Sequence, residues 1–169
     1  RARSFMEEHH QPFDVALAVT RAGNLFTTHT PVEAGFDRFS PELMRTYFTW
    51  YAEQRLRIPL RDLLALGRRD PTDDSEPFNM AYLAIRGSGA VNGVSRLHGK
   101  VSRRLFAPLF PQWPQDDIPV GHVTNGVHLP TWHPAPAVAL WTQAWGKGRW
   151  PRVTGSLGKH RRRLSDPRP

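Results

Sequence analysis

The amino-acid sequence predicts an α/β fold. Short β-branched or aromatic runs recur at 25–28, 90–94 and 118–123, and helical patterns lie between them. Strands that alternate with helices in this way argue for the α/β class. Pro and Gly punctuate the junctions, as turn-forming residues should.

Residues 3–22 read as helical around a break at Pro12, with Phe13, Val15, Ala16, Leu17 and Val19 as an apolar face and Gly23 as a stop. Leu25-Phe26-Thr27-Thr28 is a strand signal, and 29–39, with Pro31, Gly35 and Asp37, is a loop. Ser40-Pro41-Glu42 opens a helix with a hydroxyl N-cap, Pro at the first helical position and an acid near the positive dipole end. Leu43, Tyr47, Trp50 and Tyr51, at i, i+4, i+7 and i+8, carry it to about Arg55. A weaker helical turn covers 59–66, and the charged stretch 68–77 is a surface loop. Residues 78–85 read as a mostly apolar helix and 90–94 as a short extended piece. Leu97, Val101, Leu105 and Phe106 mark a helix ending near Pro108. A strand at 118–123, a turn at Thr124-Asn125-Gly126 and a helix at 135–145 complete the pattern.

The chain has 169 residues, enough for one ordinary domain. Its formal net charge is +8, and 147–169 alone holds eight basic residues against Asp166. The rest is nearly neutral, which excludes a uniformly basic nucleic-acid-binding domain. The basic tail reads as a solvated helix end, and no specific nucleic-acid partner is expected. With no cysteine there is no disulfide scaffold, thiolate metal site or Cys nucleophile. No apolar run approaches the ~20 residues that cross a bilayer, and nothing near the first residue reads as a secretory signal. The expectation is a soluble, cytoplasmic protein without a membrane partner, its partial core built on six Trp and nine Phe.

Three constellations carry chemistry. Thr27-Thr28-His29-Thr30-Pro31 lies where a strand runs into a loop, the place where α/β sheets collect ligands, so His29 is placed to donate to a polar ligand. A histidine that only satisfies backbone groups in a Pro-rich loop is the plainer reading, and spacing alone favours it. In Ala90-Val91-Asn92-Gly93-Val94-Ser95-Arg96-Leu97-His98, Gly after Asn suggests close backbone approach, or equally a turn joining two helices. Gly121-His122-Val123-Thr124-Asn125-Gly126-Val127-His128 ends near Trp132. Asn-Gly there suits a hairpin turn, while the Asn125 amide could also offer donor and acceptor to a sugar hydroxyl. His122, His128 and His133 have spacings that suit no helix-face pair and no carboxylate among them, so no metal site is expected.

Taken in order, these motifs resemble the α-glucan (glycogen, starch and maltodextrin) phosphorylases, the bacterial forms above all. The residues that carry the resemblance are Phe26-Thr27-Thr28-His29-Thr30-Pro31-Val32 with Ala34-Gly35 and Asp37-Arg38-Phe39, then Phe78-Asn79-Met80-Ala81-Tyr82-Leu83-Ala84. Val91-Asn92-Gly93-Val94-Ser95-Arg96-Leu97-His98-Gly99 and Gly121-His122-Val123-Thr124-Asn125-Gly126-Val127-His128 follow, with Trp132, Trp141-Thr142, Trp145-Gly146-Lys147 and Leu164-Ser165-Asp166.

The resemblance implies a fragment of a two-lobed glycosyltransferase of the GT-B type with Rossmann-like lobes. Residues 1–124 would form the late part of the N-terminal lobe, and 125–169 the lobe boundary and a truncated opening of the C-terminal lobe. It implies transfer of a terminal glucosyl unit from an α-1,4-glucan to inorganic phosphate, giving glucose 1-phosphate, with pyridoxal phosphate as proton relay. By position, His29 matches the catalytic-site histidine that contacts the glucosyl unit through ring and backbone carbonyl. Asn125 matches the asparagine that hydrogen-bonds a glucose hydroxyl, and Trp132 a tryptophan near the cofactor. Asn92 and His98 match positions expected to be structural. The lysine that binds pyridoxal phosphate has no match in Lys100, Lys147 or Lys159, and the basic groups that hold the substrate phosphate have none either. The fragment is therefore expected to be inactive alone. The competing reading is a non-catalytic carbohydrate- or nucleic-acid-binding module with a basic tail.

Overall fold

A computed structural model describes residues 1–126, 129–132 and 134–146. They fall into two compact units, Arg1–Asn125 and a second beginning at Gly126.

The first unit opens with α1 (Ala2–His9) and α2 (Phe13–Arg21). His10, left-handed at φ 54°, ends α1, and the extended Pro12 starts α2, so the break falls around the predicted proline. Then β1 (Leu25–Thr28) runs beside β4 (Ala90–Gly93), and β4 beside β5 (Gly121–His122), all parallel in the order β1-β4-β5. Thr28 pairs with Gly93 and Gly93 with His122, so the three strands end level at one edge. A second sheet joins β2 (Arg38–Phe39) antiparallel to β3 (Phe78–Asn79).

Helix α3 (Pro41–Trp50) starts as predicted, with Ser40 Oγ accepting from Leu43 N–H at 3.2 Å. From Tyr51 to Leu56 the backbone widens into a π-helix, closed by left-handed Arg57 at φ 56°, where the sequence predicted a continuing α-helix. Helix α4 (Leu60–Ala65) follows. Its end is capped from α5 (Met80–Arg86), for one Arg86 guanidinium nitrogen donates to the carbonyls of Ala65 (2.9 Å), Leu66 (2.7 Å) and Arg68 (2.6 Å). Three orphan carbonyls thus share one charged donor. The predicted helix at 78–85 begins as a strand because Phe78 and Asn79 pair with β2. Asn79 Oδ1 then accepts from Ala81 N–H at 2.9 Å to start α5.

Helix α6 (Arg96–Phe106) is capped by Ser95, whose hydroxyl accepts from His98 N–H at 3.0 Å. The predicted strand at 118–123 shortens to Gly121–His122, while Ile118 and Val120 are buried outside any strand. They join Phe36, Tyr82, Ile85, Val91 and Phe106 in the main core, where Phe36 and Phe106 stack with centroids 5.3 Å apart. Each such burial contributes about 1.5–3 kcal/mol before entropy is counted. A second cluster gathers Met6, Ala16, Ala52, Leu56 and Leu63 under the π-helix. In the second unit, α7 (Leu129–Trp132) precedes α8 (Ala135–Trp145).

Candidate functional site

The C-terminal edge of a parallel sheet is where side chains and backbone groups escape the ladder and face a common space. Here three chain segments leave that edge together: 29–32 after β1, 94–98 after β4, and 123–125 after β5. His29 and Asn125 flank the central segment, on strands two spacings or about 10 Å apart. Both side chains are exposed, and neither has a hydrogen-bond partner among the described residues.

The central segment binds both of its neighbours. Val123 N–H donates to Gly93 O at 2.9 Å and Asn125 N–H to Val94 O at 3.4 Å, which fixes the backbone that carries Asn125. On the other side the His98 ring lies 3.0 Å from Thr30 O through Nε2, while its Nδ1 accepts from Val94 N–H at 3.1 Å. Close packing makes this possible. A Cβ on Gly93 would meet Gly99 N at 2.8 Å and His98 Nδ1 at 2.9 Å, and one on Gly99 would meet Gly121 O at 3.0 Å. Glycine at both positions lets α6 lie directly against β4 and β5. Beneath the edge, buried Asn92 accepts from Thr27 Oγ1 at 3.0 Å and donates to Gly93 O at 3.2 Å.

The structure therefore brings His29 and Asn125 to one edge and makes Asn92 and His98 framework residues. Trp132 belongs to the second unit, at the end of α7, and is 75% exposed. Val127 and His128, where a strand returning from an Asn-Gly hairpin would begin, lie outside the described residues. Of the three histidines weighed for a metal, His122 is exposed, and His128 and His133 lie outside the described residues. Among the described residues no cluster of three or more His, Asp or Glu could hold an ion. None of their helices is long and apolar enough to cross a membrane. A cavity of about 990 Å³ lies away from the strand ends, between α1, α2 and the π-helix, with Met6, Phe13, Gln54 and Ile58 in its walls. What sequence reasoning missed is the double bond of His98. Its sequence signal was Ser95 three residues earlier, an N-cap that seats His98 in the first turn.

These features define an α/β unit whose parallel strands end in a polar edge. No family model matches the chain. The glycogen phosphorylase of Mycobacterium tuberculosis is 42% identical over 148 residues, 85% of this chain and 16% of that protein. The maltodextrin phosphorylase of Thermococcus litoralis is 42% identical over 117 residues, 69% of this chain and 13% of the relative. The glycogen phosphorylase of Aquifex aeolicus is 34% identical over 120 residues, 71% of this chain and 17% of the relative. The chain belongs to the α-glucan phosphorylase family and corresponds to a segment of these relatives, spanning 13–17% of their length.

Proposed function

We propose that this chain supplies part of the glucosyl-binding floor of an α-1,4-glucan phosphorylase, an enzyme of two-lobed GT-B architecture that moves a terminal glucosyl unit onto inorganic phosphate to give glucose 1-phosphate. Residues 1–124 form the late part of the first lobe, and 125–169 its junction with the opening of the second. His29 contacts the sugar through ring and carbonyl, and Asn125 offers one amide as donor and acceptor to a hydroxyl. The observation that carries this reading is the attachment of both segments to 94–98, since a sugar site needs its polar groups held before the ligand arrives.

The cofactor implied by the family is pyridoxal phosphate, and the described residues do not fit it. Lys100, their sole lysine, is exposed on α6, whereas an internal Schiff base needs an enclosed amine. Trp132 remains the candidate to lie beside the cofactor in a complete enzyme. The protein is placed in the cytoplasm, where glucan and phosphate meet. As an isolated chain it makes no glucose 1-phosphate, because positioning and electrostatics supply most of such a barrier and the chain spans only 13–17% of the length of its relatives.

The test is a segment exchange. Residues 1–146 replace the matching stretch of the Mycobacterium tuberculosis glycogen phosphorylase, and phosphorolysis is measured with and without His29→Ala or Asn125→Ala. A working exchange in which either change lowers kcat/KM by about fivefold or more, at unchanged thermal stability, supports the reading. Full rates in both variants would remove it.

A further inference from the structure

The connection after β4 contains a histidine whose two ring nitrogens are both committed. His98 is 8% exposed. Its Nδ1 receives Val94 N–H at 3.1 Å, so that nitrogen must present a lone pair. Its Nε2 faces Thr30 O at 3.0 Å, an acceptor, so that nitrogen must carry the proton. The surroundings therefore select the tautomer protonated at Nε2.

The far side of Thr30 is held as well. A Cβ on Gly35 would come within 2.6 Å of Thr30 Cγ2, so the methyl sits flush against the Gly35 backbone. Gly35 and Phe36 N–H close the Glu33–Gly35 turn by donating to Val32 O (3.2 Å) and Glu33 O (3.1 Å). Thr30 is thus gripped between the His98 ring and that turn, one residue beyond His29.

We propose that His98, as the Nε2-protonated tautomer, is the positioning residue of the His29 loop. It holds the Thr30 carbonyl and so fixes the direction in which His29 leaves the sheet. The benefit to sugar binding rests on the reading above, whereas the clamp itself can be tested in this chain alone.

Two measurements test it. In the histidine-labelled chain at mildly alkaline pH, long-range ¹⁵N–¹H correlation should show His98 with a protonated Nε2 and an unprotonated Nδ1. The Nδ1-protonated form, or the averaged pattern of exposed His29, would overturn the proposal. His98→Asn keeps an acceptor near Val94 N–H but is too short for Thr30 O, and His98→Ala loses both bonds. Both variants should raise amide exchange at Gly35 and Phe36 about fivefold or more while Val91 in β4 stays as protected as before. An unchanged turn, or equal acceleration at Val91, would reduce His98 to general packing and sink the clamp. If the clamp stands while His29→Ala is silent in the segment exchange, the functional reading fails and this inference survives.

Discussion

Thr27 and Asn92 face each other across β1 and β4, the threonine hydroxyl donating to the amide oxygen at 3.0 Å. The same amide donates to Gly93 O, so one buried side chain joins two strands and the start of the connection that fixes both candidate sugar contacts.

Asn92→Ala leaves the Thr27 hydroxyl without its acceptor and the Gly93 carbonyl with Val123 N–H alone. The variant should lose about 1–3 kcal/mol in urea unfolding. Thr27→Val, which removes only the donor, should cost less. Equal stability of Asn92→Ala and wild type would show that solvent replaces both partners.

Gly93→Ala places a methyl 2.8 Å from Gly99 N, a backbone atom that cannot swing aside. Helix α6 must back away, at about 1–3 kcal/mol, and His98 must move with it. Gly126→Ala meets nothing within 4 Å and serves as the control. Denaturation midpoints of the two variants should separate clearly.

Burial pushes the Tyr82 phenol above its ordinary 10.0, and the charge of Glu33 adds to the shift. The folded chain therefore holds this proton after the unfolded chain has released it. Its contribution is full below pH 10 and is lost as pH rises through the raised folded value. Stability should fall on the alkaline side, and Tyr82→Phe should flatten that limb in a pH series of thermal melts. An identical alkaline slope in the variant would assign the effect to other groups.

Helix α3 leaves an apolar face uncovered: Leu43 is 44% exposed, Tyr47 71% and Trp50 62%. Beside it lies an apolar cavity of about 500 Å³ walled by Phe39, Met44, Phe48 and Met80. Such a face favours association. Sedimentation should show a concentration-dependent rise in mass that Tyr47→Lys reduces. A monomer at all concentrations, with a sharp cooperative melt, would show the face to be harmless.

DNA binding should be weak, indifferent to sequence and confined to 147–169. At most about seven phosphates can be neutralised there, so anisotropy should report a steep fall in affinity with salt. Deleting the segment should abolish binding. Sequence-selective binding that survives the deletion would favour the nucleic-acid-binding module over the enzyme.

Much of the fold was legible because local chemistry and tertiary packing agreed. Ser40-Pro41 announced α3, and Leu25-Phe26-Thr27-Thr28 announced β1 to the residue. The failures share a cause. Phe78-Asn79 is too short a strand to show a period, and its partner Arg38-Phe39 lay inside what reads as a loop. Ile118 and Val120 signal burial, and burial does not require a ladder. Of the candidate site, the places of His29 and Asn125 beyond strands were legible from the strand signals, while their assignment to a sugar rests on the family resemblance. The tie through His98 was not, because its carbonyl partner is 68 residues away in the chain.

The parallel sheet also sets a timetable for synthesis. Thr27 must wait for Asn92, 65 residues later, before β1 meets β4. At ribosomal speeds of about 5–20 residues per second that is roughly 3–13 seconds. Throughout that interval Leu25 and Phe26 lack β4, the one strand that β1 joins among the described residues. The first candidate sugar contact is thus translated well before it is placed, when β4 and α6 emerge to receive it.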